Sequence, residues 1–151
     1  MSVLQNMQVE LKRIDDAFHL EATNETGNTT HTDGSPKIGG GNNAFRPMQM
    51  VLAAVGGCSS IDVISILKKQ RQPLDDIKIS VTGERDPDAV PSIFTDIHVH
   101  YKLYGELNKS KAERAIRLSM DKYCSVSKML EKVADITWSY EINDVAQEKE
   151  V

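Results

Sequence analysis

Two cysteines are the residues of this sequence whose chemistry could include redox catalysis. Cys58 lies in the apolar stretch VLAAVGGCSSIDVISIL, and Cys124 follows much later in KYCSVSKMLEKV. A thiolate can attack a peroxide and become a sulfenic acid, which a second thiol captures as a disulfide. Such chemistry requires a fold that brings the two side chains together. Buried cysteine is also a common core residue, so a packing role for Cys58 stays open here.

The neighbours of Cys58 give mixed indications about its reactivity. Gly56 and Gly57 lower helix propensity and allow another backbone or a ligand to approach closely. Asp62 lies one helical turn later, where an uncompensated carboxylate would raise the pKa of a thiol. We therefore interpret Asp62 as an acid bonded to a serine or a strand. A positive charge near the thiol could come from any of three arginines, each of which could equally be a surface residue: Arg46, Arg71 and Arg85.

Histidines provide the other residues that could bind a ligand. His98 and His100 share one face of a predicted strand, but that face is polar, which indicates a solvated pair. A metal site that combines the cysteines with His19 or His31 lacks a compact ligand motif and ranks last among the hypotheses. We expect neither a metal nor a bound organic cofactor.

The composition indicates one folded domain over residues 1–151. The chain is 40% hydrophobic and 26% charged, with a net charge of -4. This balance provides no basic surface for nucleic acid. The first residues lack the pattern of a signal peptide, so we expect a cytoplasmic protein. A reducing cytosol favours free thiols or a transient redox pair over a permanent disulfide.

The elements that must position the cysteines follow a ββ-α-ββ-α-β order, which predicts an α+β fold. Pro47 begins a helix that is apolar on almost every side, which indicates a buried central helix rather than a membrane span. Alternating apolar residues predict strands in five places: around Val9 and Leu11, around Phe18 and Leu20, and over residues 77–85, 94–107 and 136–142.

A second helix should lead to Cys124. Asn108 or Ser110 can cap its start, and Cys124 falls at a break where Ser125 or Ser127 could cap a fresh turn. Cys124 is therefore predicted between two helices.

Two segments carry little periodicity. Residues 23–44 are rich in Gly, Asn and Thr and predict a long loop, or a hairpin with a mobile tip, that serves as a lid or an inter-subunit arm. Residues 143–151 form a polar tail that we expect to fray.

Three segments together resemble the OsmC/Ohr superfamily, and most closely its YhfA-like branch. They are RPMQMVLAAVGGCSSIDVISILKKQRQ, SIFTDIHVHYKLYG and KYCSVSKMLEKVADITWSYEI. The resemblance implies an intertwined homodimer in which two central helices are wrapped by sheets from both chains. It also implies that Cys58 is the peroxidatic cysteine and Cys124 the resolving one. Such proteins reduce organic hydroperoxides with an external dithiol as the reductant.

One position departs from the family motif. The family usually has Pro-Met-Glu, and its glutamate pairs with an arginine that lowers the thiol pKa, whereas this sequence has Gln49. A glutamine can hydrogen-bond but cannot hold an arginine by charge. Apolar residues around Cys58, among them Met50, Val51 and Ile61, favour an alkyl or lipid-like peroxide.

Two functions follow as hypotheses. The first is a thiol peroxidase that forms a sulfenic acid on Cys58 and then a disulfide with Cys124, in oxidative or osmotic stress defence. The second is a non-catalytic stress protein of the same fold that binds an apolar ligand at its dimer interface, a hypothesis that Gln49 keeps open.

Overall fold

The structure, a computed structural model, describes residues 2–144. The chain divides into two compact units after Val51. The expected single domain stays a prediction, and the tail beyond residue 144 lies outside the described residues.

The first unit contains a three-stranded antiparallel sheet. Its strands are β1 (Val9–Arg13), β2 (Leu20–Asn24) and β3 (Thr29–Thr32), in that spatial order. Leu11 pairs with Ala22 across the β1-β2 hairpin. The predicted first hairpin is therefore confirmed, whereas the predicted element order lacked the third strand.

The region predicted as a long loop or a hairpin forms the hairpin β2-β3. Its turn is closed by the Asn24 side chain, whose Oδ1 accepts from the backbone N–H groups of Thr26 at 3.1 Å and Asn28 at 2.9 Å. The threonines that follow are β-branched and favour an extended backbone, which explains a strand where turn residues alone suggested a loop. The 3₁₀ helix Pro36–Ile38 lies further along.

Asp33 organises the segment after β3. Its side chain is buried, with Oδ1 accepting from the Gly34 N–H at 2.7 Å and Oδ2 from the Asn43 N–H at 3.0 Å. The Asn43 N–H is the main cause of a lowered pKa for this carboxyl. A buried carboxylate with backbone donors stays ionised, and here it holds the segment in a defined shape.

The second unit contains a mixed sheet with helices in its crossover. Helix α1 (Pro47–Lys69) continues into this unit and is followed by β4 (Asp76–Arg85) and β5 (Phe94–Tyr104). Next come α2 (Lys109–Leu118), a π-helical turn, α3 (Ser125–Leu130) and β6 (Asp135–Asn143). The strand order is β4-β5-β6, with β4 antiparallel and β6 parallel to β5.

Alternation along β5 builds the core of the second unit. Ile97, Val99, Tyr101 and Leu103 are all buried, as the period-2 pattern predicts. On α1, Gly56 lies close to β4, since a Cβ at this position would be 3.0 Å from Cγ2 of Val81. The glycine therefore allows the helix to approach the sheet.

Helix α1 is less buried than the sequence indicated. Only 28% of its most apolar 18-residue window is buried, and Ile61 and Ile64 are exposed. The prediction of burial on every side is wrong for the single chain, because the sheet covers one face of the helix. By length and composition alone α1 could also cross a membrane, a property that it shares with core helices of soluble proteins.

Candidate functional site

The structure brings Cys58 and Cys124 together. Both cysteines are free, and Cys58 lies close enough to Cys124 to raise the pKa of its thiol. Cys58 on α1 is partly exposed, whereas Cys124 is fully buried. Two neighbouring thiols can form a disulfide if their Cα atoms lie within about 7 Å of each other.

Cys124 lies between two helices, as predicted, and caps the second one itself. Its backbone N–H donates to the Ser119 carbonyl at 2.7 Å, which closes the π-helical turn. Its Sγ accepts from the Ser127 N–H at 3.4 Å, the N-cap contact of α3. The sequence suggested Ser125 or Ser127 as the cap, but the sulfur of Cys124 takes this position and Ser127 supplies the donors.

The surroundings of Cys124 favour the neutral thiol. Burial raises the pKa of this thiol, and contact with Cys58 raises it further. The hydroxyl and the N–H of Ser127 oppose the rise by donating to Sγ. Desolvation is the largest of these effects, so Cys124 rests as a thiol.

A buried polar cluster that the sequence analysis did not identify lies beside the two thiols. The Tyr101 hydroxyl donates to Ser59 Oγ at 2.8 Å and also lies 3.3 Å from Met120 Sδ. Burial raises the pKa of Tyr101 to about 12, so the phenol stays protonated. An inward tyrosine on β5 signals that its hydroxyl needs a partner, but the partner comes from distant elements.

Asp62 is bonded to a serine, as we predicted. Its Oδ2 accepts from Ser119 Oγ at 3.0 Å, and the same hydroxyl lies 3.2 Å from the Ser59 carbonyl. These contacts join α1 to the turn after α2. Asp62 therefore helps to hold the segment that carries Cys124 against the helix that carries Cys58.

The contacts of the suggested arginines lie elsewhere. Arg85 donates through Nη1 to the Ser92 carbonyl at 3.4 Å, in the β4-β5 connection. Arg71 follows the end of α1 with a φ of 56°. Neither feature brings a positive charge to Cys58.

Gln49 closes the first turn of α1. Its Oε1 accepts from the backbone N–H of Arg46 at 3.0 Å, which is the glutamine half of a capping box. The structure thus gives this residue a helix-capping contact within the first unit. Met50 and Val51 follow it and are partly buried, whereas Ile61 is 69% exposed, three residues after Cys58 on α1.

The two histidines of β5 form a continuous hydrogen-bond chain on the polar face of the sheet. Thr137 Oγ1 lies 2.7 Å from His98 Nδ1, and His98 Nε2 lies 2.8 Å from Ser139 Oγ. His100 contacts Ser139 Oγ through Nδ1 at 2.7 Å and Glu141 Oε1 through Nε2 at 3.0 Å. The prediction that this face is polar is confirmed, but the pair is not simply solvated, because both rings are partly buried and bonded to side chains of β6.

The other histidines belong to the first unit. His19 Nε2 and His31 Nδ1 lie 3.0 Å apart. Among residues 2–144 no three His, Cys, Asp or Glu side chains form a group that could hold a metal ion.

Comparison with known proteins relates both cysteine segments to one family. Residues 39–139 match a family model described as OsmC-like protein. The chain is 50% identical over 103 residues to Protein YhfA of Escherichia coli strain K12, and this region covers 68% of the chain and 76% of the relative.

Solved structures share the fold. A hypothetical protein from Aquifex aeolicus superposes with a TM-score of 0.81 at 30% identity, covering 93% of this chain and 98% of that chain. An organic hydroperoxide resistance protein OsmC from Legionella pneumophila gives a TM-score of 0.70 at 16% identity, covering 93% and 99%. The second likeness concerns the fold alone.

Proposed function

The chain belongs to the OsmC-like protein family, and from this premise we propose that it is a thiol peroxidase that reduces organic hydroperoxides in the cytoplasm. The observation that carries the proposal is that a partly exposed Cys58 and a fully buried Cys124 are neighbours in the folded chain. Some family members are named organic hydroperoxide resistance proteins, which supports the substrate class.

The reaction begins at Cys58. Its thiolate attacks the distal oxygen of the hydroperoxide, the O–O bond breaks, and the alkoxide leaves as an alcohol after taking up a proton. Cys124 then attacks the resulting sulfenic acid. The new S–S bond expels hydroxide, which leaves as water with the proton of Cys124. An external dithiol restores both thiols.

The different burial of the two sulfurs supports these roles. A substrate can reach Cys58 from the exposed side of α1, whereas Cys124 has no exposed surface in the chain. Burial also keeps Cys124 neutral through its raised pKa. Cys124 is therefore suited to react only with a partner that is already in contact with it, namely oxidised Cys58.

An apolar substrate fits the exposed side of α1. Ile61 lies one turn from Cys58 and is 69% exposed, with Ile64 exposed further along the helix. Apolar side chains next to the thiol favour an alkyl or lipid-like hydroperoxide over a small polar one. The roles of Met50, Val51 and Gln49 toward the substrate stay predictions.

The test is a single-turnover titration. Fully reduced protein is mixed with one equivalent of an organic hydroperoxide, and remaining thiols and intact mass are measured. We expect both thiols to disappear with loss of two hydrogens and no added oxygen. Cys58→Ser should abolish the reaction, Cys124→Ser should retain the first oxidation, and Ser65→Ala, at an exposed position of α1, is the matched control. Two persistent thiols beside intact peroxide would refute the proposal.

A second candidate function is an apolar-ligand carrier without catalysis. It is favoured by Gln49, which caps a helix and brings no charge, and by the exposed apolar side of α1. The rate of Cys58 alkylation against pH separates the two functions. A peroxidase needs Cys58 to react as a thiolate at neutral pH, whereas a carrier has no such need.

A further inference from the structure

Ser127 directs two donors at one sulfur. It is 1% exposed; its Oγ donates to Cys124 Sγ at 3.1 Å, and its backbone N–H lies 3.4 Å from the same atom. Hydrogen bonds of this kind strengthen when the acceptor carries a negative charge. These two donors therefore stabilise a thiolate on Cys124 more than they stabilise the thiol, and they offset part of the effect of burial.

The other groups around Cys124 do not favour an anion. Cys58 lies beside it on α1 and raises its pKa, and the buried, protonated Tyr101 of β5 interacts with it electrostatically. Asp62 on α1 raises the pKa of Tyr101. On α3, Lys128 is paired with Glu131 at 3.1 Å. Among the described contacts of Cys124, the two donors of Ser127 are the ones that stabilise its ionised form.

We propose that Ser127 is a positioning residue that makes Cys124 the leaving group when the Cys58-Cys124 disulfide is reduced. The inference rests on the proposed function in that it concerns the disulfide which that function forms. It adds the direction of reduction: the external dithiol attacks Cys58, and the electron pair of the broken S–S bond goes to Cys124.

Reduction of the disulfide takes two thiol–disulfide exchanges. One thiolate of the dithiol attacks Cys58 Sγ, a mixed disulfide forms, and Cys124 leaves as a thiolate that Ser127 stabilises until it is protonated. The second thiol of the dithiol then attacks the sulfur of the mixed disulfide that belongs to the dithiol. Cys58 leaves as a thiolate, and the dithiol becomes a cyclic disulfide. Attack at the exposed sulfur makes Cys124 the leaving group. The donors of Ser127 speed its departure because they offset part of the desolvation that raises its pKa.

The first experiment maps the point of attack. The disulfide is made with diamide, so the result does not depend on reactivity toward peroxides. A small excess of 2-mercaptoethanol is added, the exchange is quenched with acid, and peptide mass spectrometry locates the adduct. We expect the adduct on Cys58 and the free thiol on Cys124. An adduct shared equally, or found mainly on Cys124, would overturn the proposal.

The second experiment measures the donor effect directly. In the Cys58→Ser background the remaining thiolate is titrated by its ultraviolet absorbance. Ser127→Ala should lower the thiolate fraction at a given pH about tenfold, the usual size for one hydrogen bond to a charged group. Ser127→Thr keeps the hydroxyl and should restore the value, which also controls for folding. Ser125→Ala changes an exposed serine of the same helix and should leave the thiolate fraction unchanged.

Equal titration of the Ser127→Ala and parent proteins would refute the role of Ser127. The two proposals fail separately. If peroxide is not reduced while the adduct and the titration behave as expected, the proposed peroxidase is wrong and the directed disulfide exchange stands.

Discussion

At the scale of single residues, side chains with unremarkable sequence contexts decide what the cysteines can do. Tyr101, Ser59 and Met120 come from three different elements, yet Ser59 Oγ lies 2.8 Å and Met120 Sδ 3.3 Å from the Tyr101 hydroxyl. This hydroxyl is fully buried, so its partners must be present for the fold to tolerate it. The cluster fixes α1 relative to β5 immediately beside Cys58.

The first residue-scale prediction concerns Tyr101→Phe. The substitution keeps the ring and removes the hydrogen bond to Ser59, so we expect the free energy of unfolding to fall by about 1 kcal/mol. Urea unfolding measures the change. Tyr123→Phe, at a residue that is 50% exposed, is the control and should have little effect. An unchanged midpoint for Tyr101→Phe would show that the contact contributes nothing.

At the scale of elements, the parallel pair β5-β6 is joined by side chains as well as by its backbone. His98 and His100 pair in register with Thr137 and Ser139, and the hydrogen-bond chain ends at Glu141. If both rings are neutral with hydrogen on Nε2, each group donates to the next and every contact is satisfied. These hydrogen bonds therefore connect β6 to β5 on the polar face of the sheet.

The prediction at this scale is a pH dependence. The hydrogen bond from His100 is the main cause of a lowered pKa for Glu141. A carboxyl with a lowered folded-state pKa adds stability above its unfolded pKa, and this stability is lost as pH falls through the folded value. We expect Glu141→Gln to reduce the loss of stability between neutral and acidic pH.

Urea unfolding at several pH values tests this expectation. Glu106→Gln, at an exposed position outside the strands, serves as the control and should keep the pH dependence of the parent. If Glu141→Gln and the parent lose stability in parallel, the contact does not contribute to acid sensitivity.

At the scale of the whole molecule, the chain alone leaves an apolar helix uncovered. Only 28% of the apolar window of α1 is buried, and Ile61 and Ile64 on it are exposed, a pattern typical of an interface. The family resemblance implies a homodimer with its active sites at the subunit interface, where the exposed side of α1 would meet the partner chain and the substrate would reach Cys58. The dimer stays a prediction.

The corresponding test places a charge on this surface. Ile61→Glu should shift a dimer toward monomer, because a carboxylate in an apolar interface must be desolvated without a partner. Light scattering after gel filtration gives the mass. Val90→Glu changes an apolar residue that is 97% exposed in the β4-β5 connection and should keep the mass of the parent. A parent of monomer mass, or equal masses for both variants, would contradict the expectation.

Local sequence patterns predicted most of the helices and strands and the two residues with redox chemistry. Alternation gave β5 and β6, Pro47 gave the start of α1, and the break at Cys124 was visible because serines interrupt the helical pattern there. These features depend on neighbours within a few residues, which a local pattern records. Strand β3 was not predicted because threonine, which forms most of it, occurs in both strands and turns.

Which side chains lie next to each other depends on the tertiary structure. The packing of α1 against β5 and the turn after α2 places Cys58 beside Cys124. It also brings Ser127 to the buried sulfur as a donor and Tyr101 to Ser59. Such contacts join residues far apart in sequence and depend on the angle and depth of packing, which no local pattern encodes. Gln49 was predicted as a site residue from its place in the family motif. The structure adds a local contact, in which its side chain accepts from the backbone N–H of Arg46 three residues earlier.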